Sequence, residues 1–265
     1  MSTSVVITGS TRGIGYALAE AFLERGCRVS ISGRSLQAVD EAASSLGAKH
    51  PQERIFGVAC DVTDFAQLEQ LWGQAAANFG QVDVWINNAG TAAPRQNLWE
   101  LPPEKYDEVV RANVLGTLFG TKVALMGMLA QGYGALYNME GFGARGRGML
   151  GMTLYGSTKA AVHFINRSLA LEVAGTPVIV GALAPGMMIT DMITRQYVGR
   201  EAELERAKPI LNIIAERPGR VAPVLVDKIL KNHKNGATIA FSSPARIMLK
   251  FIAAPFKKRD LFSPP

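Results

Sequence analysis

Short apolar runs rich in valine and isoleucine alternate along the chain with longer stretches whose apolar positions recur at helical spacing. Residues 5–7, 29–31, 55–58, 82–86, 135–137, 178–180 and 238–240 read as strands. Residues 13–26, 36–47, 64–79, 105–131 and 156–174 read as helices. Strands this short and apolar are buried on both faces, and strand–helix alternation pairs them in parallel. Right-handed crossovers then give an α/β fold, a doubly wound parallel sheet in a single domain with helices on both faces. Two regions break the pattern. Residues 141–151 form a glycine-rich basic loop, and 187–233 are helical but irregular. Both follow strands, and ligands of such folds bind at the carboxyl ends of strands, so both border the expected site.

Composition narrows the function classes. At 265 residues with 48% hydrophobic and 19% charged content, the chain can bury one sizeable core and is not disordered. The net charge of +6 suits an anionic partner: a phosphorylated cofactor, a carboxylate, nucleic acid or an anionic membrane face. No nucleic-acid-binding motif accompanies the charge. Cys27 and Cys60 lack metal spacing, so no metal is expected, and they read as buried reduced thiols. The N-terminus shows no signal peptide and no uninterrupted apolar run reaches about 20 residues, which gives a cytoplasmic expectation.

The first chemistry lies between the first strand and helix. Thr8 leads into Gly9-Ser10-Thr11-Arg12-Gly13-Ile14-Gly15. Gly9 permits the sharp turn, Gly13 lets backbone amides approach a pyrophosphate, and Gly15 lets the helix pack on the sheet. The helix N-terminus adds free N–H groups and a positive dipole. After the second strand stand Arg34 and Ser35, with no carboxylate to bind a ribose 2′-hydroxyl. Arg34 and Arg12 instead suit a 2′-phosphate, which favours NADP(H).

That turn, followed in order by Asn87-Asn88-Ala89-Gly90, Asn113, Tyr155-x-x-x-Lys159 and Pro185-Gly186-x-x-x-Thr190, resembles the short-chain dehydrogenase/reductase pattern over residues 4–195. The resemblance implies a Rossmann-like oxidoreductase that forms a homodimer or homotetramer through 105–131 and 156–174. It also implies that Asp61 and Val62 contact the adenine, and that Asn88, Ala89 and Gly90 line the cofactor. Pro185, Gly186, Met188 and Thr190 follow at its nicotinamide end. Tyr155 becomes the general acid, Lys159 lowers its pKa and holds the ribose, and Asn113 holds a relay water. Spacing agrees, because residues four apart share one helix face. A nearby ammonium and the nicotinamide charge are expected to lower a phenol pKa from roughly 10.

The family also carries a serine about thirteen residues before the tyrosine. Here position 142 is Phe, and no Ser or Thr occurs between Thr121 and Thr153. Either Asn138, Thr153 or a loop amide substitutes, or carbonyl reduction is lost. Asn138-Met139-Glu140-Gly141-Phe142-Gly143 with the glycine-rich loop and Tyr-Gly-Ser-Thr-Lys narrows the resemblance to the chlorophyll b reductase branch. That branch reduces a formyl group to a hydroxymethyl group with NADPH. Asn138, Glu140, Gly141, Phe142, Met149, Met152, Met187 and Met192 are then the substrate candidates, the methionines suiting a bulky apolar ligand. Arg145 and Arg147 could attract a carboxylate.

The expected organisation is a domain over 1–243, with substrate loops at 141–153 and 187–217, and a basic amphipathic tail over 244–265. The tail could lie on an anionic membrane as a peripheral contact, cover the cleft or pack between subunits. The leading expectation is an NADPH-dependent reductase of a carbonyl on a bulky apolar small molecule. The alternatives are an oxidoreductase for a smaller alcohol or ketone, and a non-catalytic NADP(H)-binding sensor.

Overall fold

A computed structural model describes residues 2–254 and 259–262. The strands are β1 (Ser4–Ile7), β2 (Arg28–Gly33), β3 (Ile55–Ala59), β4 (Val84–Asn87), β5 (Gly134–Met139), β6 (Val178–Ala184) and β7 (Thr238–Ala240). All pair in parallel, in the order β3-β2-β1-β4-β5-β6-β7. The order reverses between β1 and β4, which opens a crevice at their carboxyl ends. The helices are α1 (Gly13–Glu24), α2 (Leu36–Gly47), α3 (Phe65–Phe79), α4 (Pro103–Val110), α5 (Gly116–Gln131), α6 (Thr153–Glu172), α7 (Asp191–Arg195), α8 (Glu201–Ile214), α9 (Pro218–Leu230) and α10 (Pro244–Ala253).

The sheet has a core on each face. Val5, Ile7, Val29 and Ile31 pack toward α1, α2 and α9, around Phe22 and Leu225. Val6, Trp85, Leu136 and Val180 point the other way, toward α3 and α5. The alternation follows from the two-residue period of a strand, and it explains why both sets of positions are apolar. Short polar side chains end the loops: Ser35 accepts from Ala38 N, and Asp64 accepts from Ala66 N and Gln67 N. Cys27 and Cys60 are buried free thiols, as expected.

Three expectations shift. Residues 82 and 83 lie outside β4; Asp83 ties the start of β4 to β1, its carboxylate accepting from Ser4 N at 2.7 Å and its N–H donating to Ser4 O at 3.0 Å. The helix expected over 105–131 is α4 and α5 joined by one π turn, Arg111–Leu115. Joined, they are long and apolar enough by length and composition to cross a membrane, although no uninterrupted apolar run reaches that length. They do not stand free: Val123, Ala124 and Met128 pack into the core beside the sheet. Third, α6 begins at Thr153, which brings Tyr155 into its first turn.

Candidate active site

The β1–α1 turn is welded to the end of β4. Asn88 Nδ2 donates to the carbonyls of Thr8 and Gly9 at 2.9 and 2.8 Å, and Thr8 Oγ1 accepts from the amides of Asn88 and Ala89. Gly9 turns with φ 62°, and a Cβ on Gly15 would stand 2.5 Å from Asn88 Nδ2. Asn88 thus braces the turn through its side-chain amide. Ser10 braces it as well. It is fully buried, donating to Ile7 O and accepting from Ser32 N, so it stitches β1 to β2. Asp61 Oδ1 accepts from Thr63 N and Oγ1, and Val62 is buried under Gly116.

The anion-binding surface lies beyond. No side chain caps α1 and no acid stands in its first turn, so its leading amides face outward. A cleft of about 500 Å³ runs between Arg12 and Arg34, lined also by Thr11, Ser35 and Tyr16. Both arginines are exposed, and among the described residues neither side chain forms an ion pair. Ile14 packs inward on the core. Thr190 arrives from beyond β6, its Cγ2 4.0 Å from where a Gly13 Cβ would lie. Pro185 is buried, while Gly186 has φ 79° and open space before it.

Tyr155, Lys159, Gly90, Asn113 and Gly141 converge at the next position. Lys159 is buried and donates to Met139 O at 3.0 Å, with its Nζ 5.9 Å from the Tyr155 ring centroid. A Cβ on Gly90 would lie 2.9 Å from Asn113 Oδ1 and 3.8 Å from Lys159 Nζ. Asn113 sits on the π turn, a feature found often at functional sites. Its amide is fully engaged, with Thr91 N donating to it and Nδ2 donating to Thr91 O and Thr158 Oγ1. Burial pushes the Tyr155 hydroxyl up to about 12. Burial also pulls Lys159 down to about 8, against the Glu140 carboxylate. Among the chain's own groups desolvation sets the direction, with the ammonium turned toward Met139 O; the expected lowering counts on the nicotinamide charge as well.

The missing serine has a location. A Cβ on Gly141 would stand 2.5 Å from the Tyr155 hydroxyl. Residue 141, fourteen positions before the tyrosine, faces it; the count of thirteen pointed to Phe142 instead. Asn138 does not substitute. It is fully buried, accepts from Asn87 Nδ2 at 2.8 Å and donates to Asn166 Oδ1 at 2.8 Å. Thr153 is exposed at the start of α6. Glu140 turns away from the tyrosine and accepts at 2.7 Å from His163 Nδ1, one helical turn below Lys159.

The pattern of the short-chain dehydrogenases matches residues 3–200. The chain belongs to this family. It is 32% identical over 267 residues to the probable chlorophyll(ide) b reductase NYC1, chloroplastic, of Arabidopsis thaliana, covering 95% of this chain and 53% of that one. It is 37% identical over 231 residues to the chlorophyll(ide) b reductase NOL, chloroplastic, of the same plant, covering 85% and 65%. The chain thus spans between half and two thirds of the length of these relatives. The solved structure of ElxO with NADP bound superposes with a TM-score of 0.80 at 27% identity, covering 91% of this chain and 97% of that one.

Within the family's substrate region, the loops are held by residues the sequence did not single out. Arg95 donates to Leu150 O at 3.1 Å and to the Tyr197 hydroxyl at 2.8 Å, clasping both loops. Glu216 is buried and pairs by backbone with Met187 and Ile189. Lys250 and Arg259 both donate to its carboxylate at 2.7 Å. Burial raises its pKa, but these cations outweigh burial and hold it below the ordinary 4.5. Phe142, Met187 and Met188 are half-buried, and Met149 and Met192 are exposed. Met152, immediately before α6, is buried. Contacts this distant in sequence leave no local signal. A lone arginine at 95 or glutamate at 216 reads as surface charge.

Proposed function

We propose that this chain reduces a formyl or ketone carbonyl on a bulky apolar small molecule, of the chlorophyll(ide) b kind, with NADPH. The observation that carries the reading is the Tyr155 hydroxyl standing against a glycine instead of a side chain. NADP(H) fits the residues present: α1 offers uncapped amides to a pyrophosphate, and Arg12 and Arg34 flank a cleft that would hold a 2′-phosphate. Lys159 and Thr190 would hold its nicotinamide end. Bound there, NADPH supplies a hydride to the carbonyl carbon.

Tyr155 supplies the proton to the carbonyl oxygen, completing an alcohol. Burial keeps its hydroxyl protonated at neutral pH, which loads it for the reductive direction. Lys159 stands behind it to stabilise the phenolate left after the transfer. With Gly141 opposite, no side chain from this position meets the substrate oxygen, so Tyr155 acts without the family's serine. The similarity to NYC1 and NOL, named for chlorophyll(ide) b, supports this choice among apolar carbonyl compounds. A second reading has its own support: the chain is 32% identical over 196 residues to a 3alpha-hydroxysteroid dehydrogenase of Mediterraneibacter gnavus. On that reading a steroid ketone takes the same place. The test is NADPH oxidation with chlorophyllide b, steroid ketones and small aldehydes. Turnover of chlorophyllide b that drops at least 10³-fold in Tyr155→Phe is the expected result. Turnover confined to small aldehydes removes the bulky-substrate assignment.

A further inference from the structure

The helix α10 is turned inside out. Its one inward cation, Lys250, is held on Glu216, while Met248, Leu249 and Ile252 are 67%, 61% and 63% exposed on the opposite side. Ile247 and Phe251 flank them and are also largely exposed. A ten-residue helix normally buries such a face, and a contiguous exposed apolar patch marks an interaction site.

The surroundings say what covers it. Ser242 and Ser243 at the start of α10 border a cleft of about 550 Å³ lined by Arg145, Lys228 and Lys231. In sequence, Lys257 and Lys258 follow the helix, and Arg246 within it is exposed, so the segment as a whole is cationic. A second copy of the chain would bring these like charges together. The exposed side chains also cover only on the order of 600 Å², short of the ~800 Å² per partner of a stable protein interface. A bilayer with anionic headgroups meets both requirements: headgroups at the cationic cleft, acyl chains under the apolar face.

We propose that α10 and the cationic cleft at its start dock this chain on an anionic lipid bilayer. Lys250 and Glu216 then join the docked helix to Met187 and Ile189, so the substrate loop is fixed to the same surface. Only that last consequence rests on the proposed apolar substrate.

The test is flotation of the full chain with vesicles of phosphatidylcholine alone, or mixed with phosphatidylglycerol. The chain should float only with the mixed vesicles and be released by high salt. Met248→Glu with Ile252→Glu should reduce flotation at least tenfold, as should Arg145→Glu with Lys231→Glu. Both apolar positions are exposed, so circular dichroism and melting of the first variant should match the parent. A parent chain that stays in solution with mixed vesicles overturns the proposal. So does a Met248→Glu/Ile252→Glu chain that floats like the parent, or one whose sedimentation drops to a smaller oligomer. Flotation needs no substrate, so it succeeds or fails independently of the reductase assay.

Discussion

At the cofactor end, Thr8, Asn88 and Ser10 tie three strand ends together through short side chains and backbone carbonyls. At the substrate end, Arg95, Glu216 and Lys250 tie loops together through long charged side chains from distant parts of the chain. The first arrangement is made at the strand ends themselves and is rigid, and it leaves Arg12 and Arg34 exposed beside the helix amides. The second can let go without disturbing the sheet. A fold that holds a nicotinamide dinucleotide and varies its substrate suits this division: rigid where the ligand is shared, detachable where it differs.

The largest way to break the comparison, after removal of the Tyr155 hydroxyl, is to fill the space opposite it. Gly141→Ser places a Cβ 2.5 Å from the Tyr155 hydroxyl and should lower kcat by about 100-fold by displacing the acid, since misplacement of about 1 Å costs that much. Steady-state kinetics would show it, and a gain in activity would mean that the helix yields. Next is the phosphate end. Arg34→Glu should raise KM for NADPH by about 10- to 100-fold and leave kcat for bound cofactor nearly unchanged, the loss of charge-assisted bonds at one site. An unchanged KM would leave the cleft without its assigned ligand.

Lys159 sharpens the comparison through pH. Its folded pKa of about 8 lies below the ordinary 10.5, so the unfolded chain binds more protons between those values. Its burial therefore costs stability while it is charged, and stability should rise as pH climbs from about 8 toward 10.5. Melting temperatures across that range should show the rise, and Lys159→Met should flatten it. The smallest effect is expected at Glu216. Glu216→Gln should lower global stability by only about 1 kcal/mol but expose residues near Lys250 to limited proteolysis, because Lys250 and Arg259 can return to water. At the parent residue the same release should occur as pH falls below 4.5, where the carboxyl held low by its cations finally protonates.

By itself the sequence determined the sheet, because a doubly wound core needs apolar strands and periodic helices, and both are written in consecutive residues. It also determined the residues that act through their own neighbours: the Gly9–Gly15 turn, Tyr155 and Lys159 one helical turn apart, and Arg34 where an acid would otherwise stand. Tertiary structure alone decided which polar residues are braces. The side-chain amides of Asn138 and Asn88 are satisfied at 2.8 Å by partners some fifty and eighty residues away, a bracing role that no local pattern shows. It decided that Gly141, not Phe142, faces the hydroxyl, because the loop before α6 is one residue longer than a count from the tyrosine assumes. It decided, too, the direction of the Tyr155 shift, since desolvation is a property of everything packed around a group and not of the residues beside it in the chain.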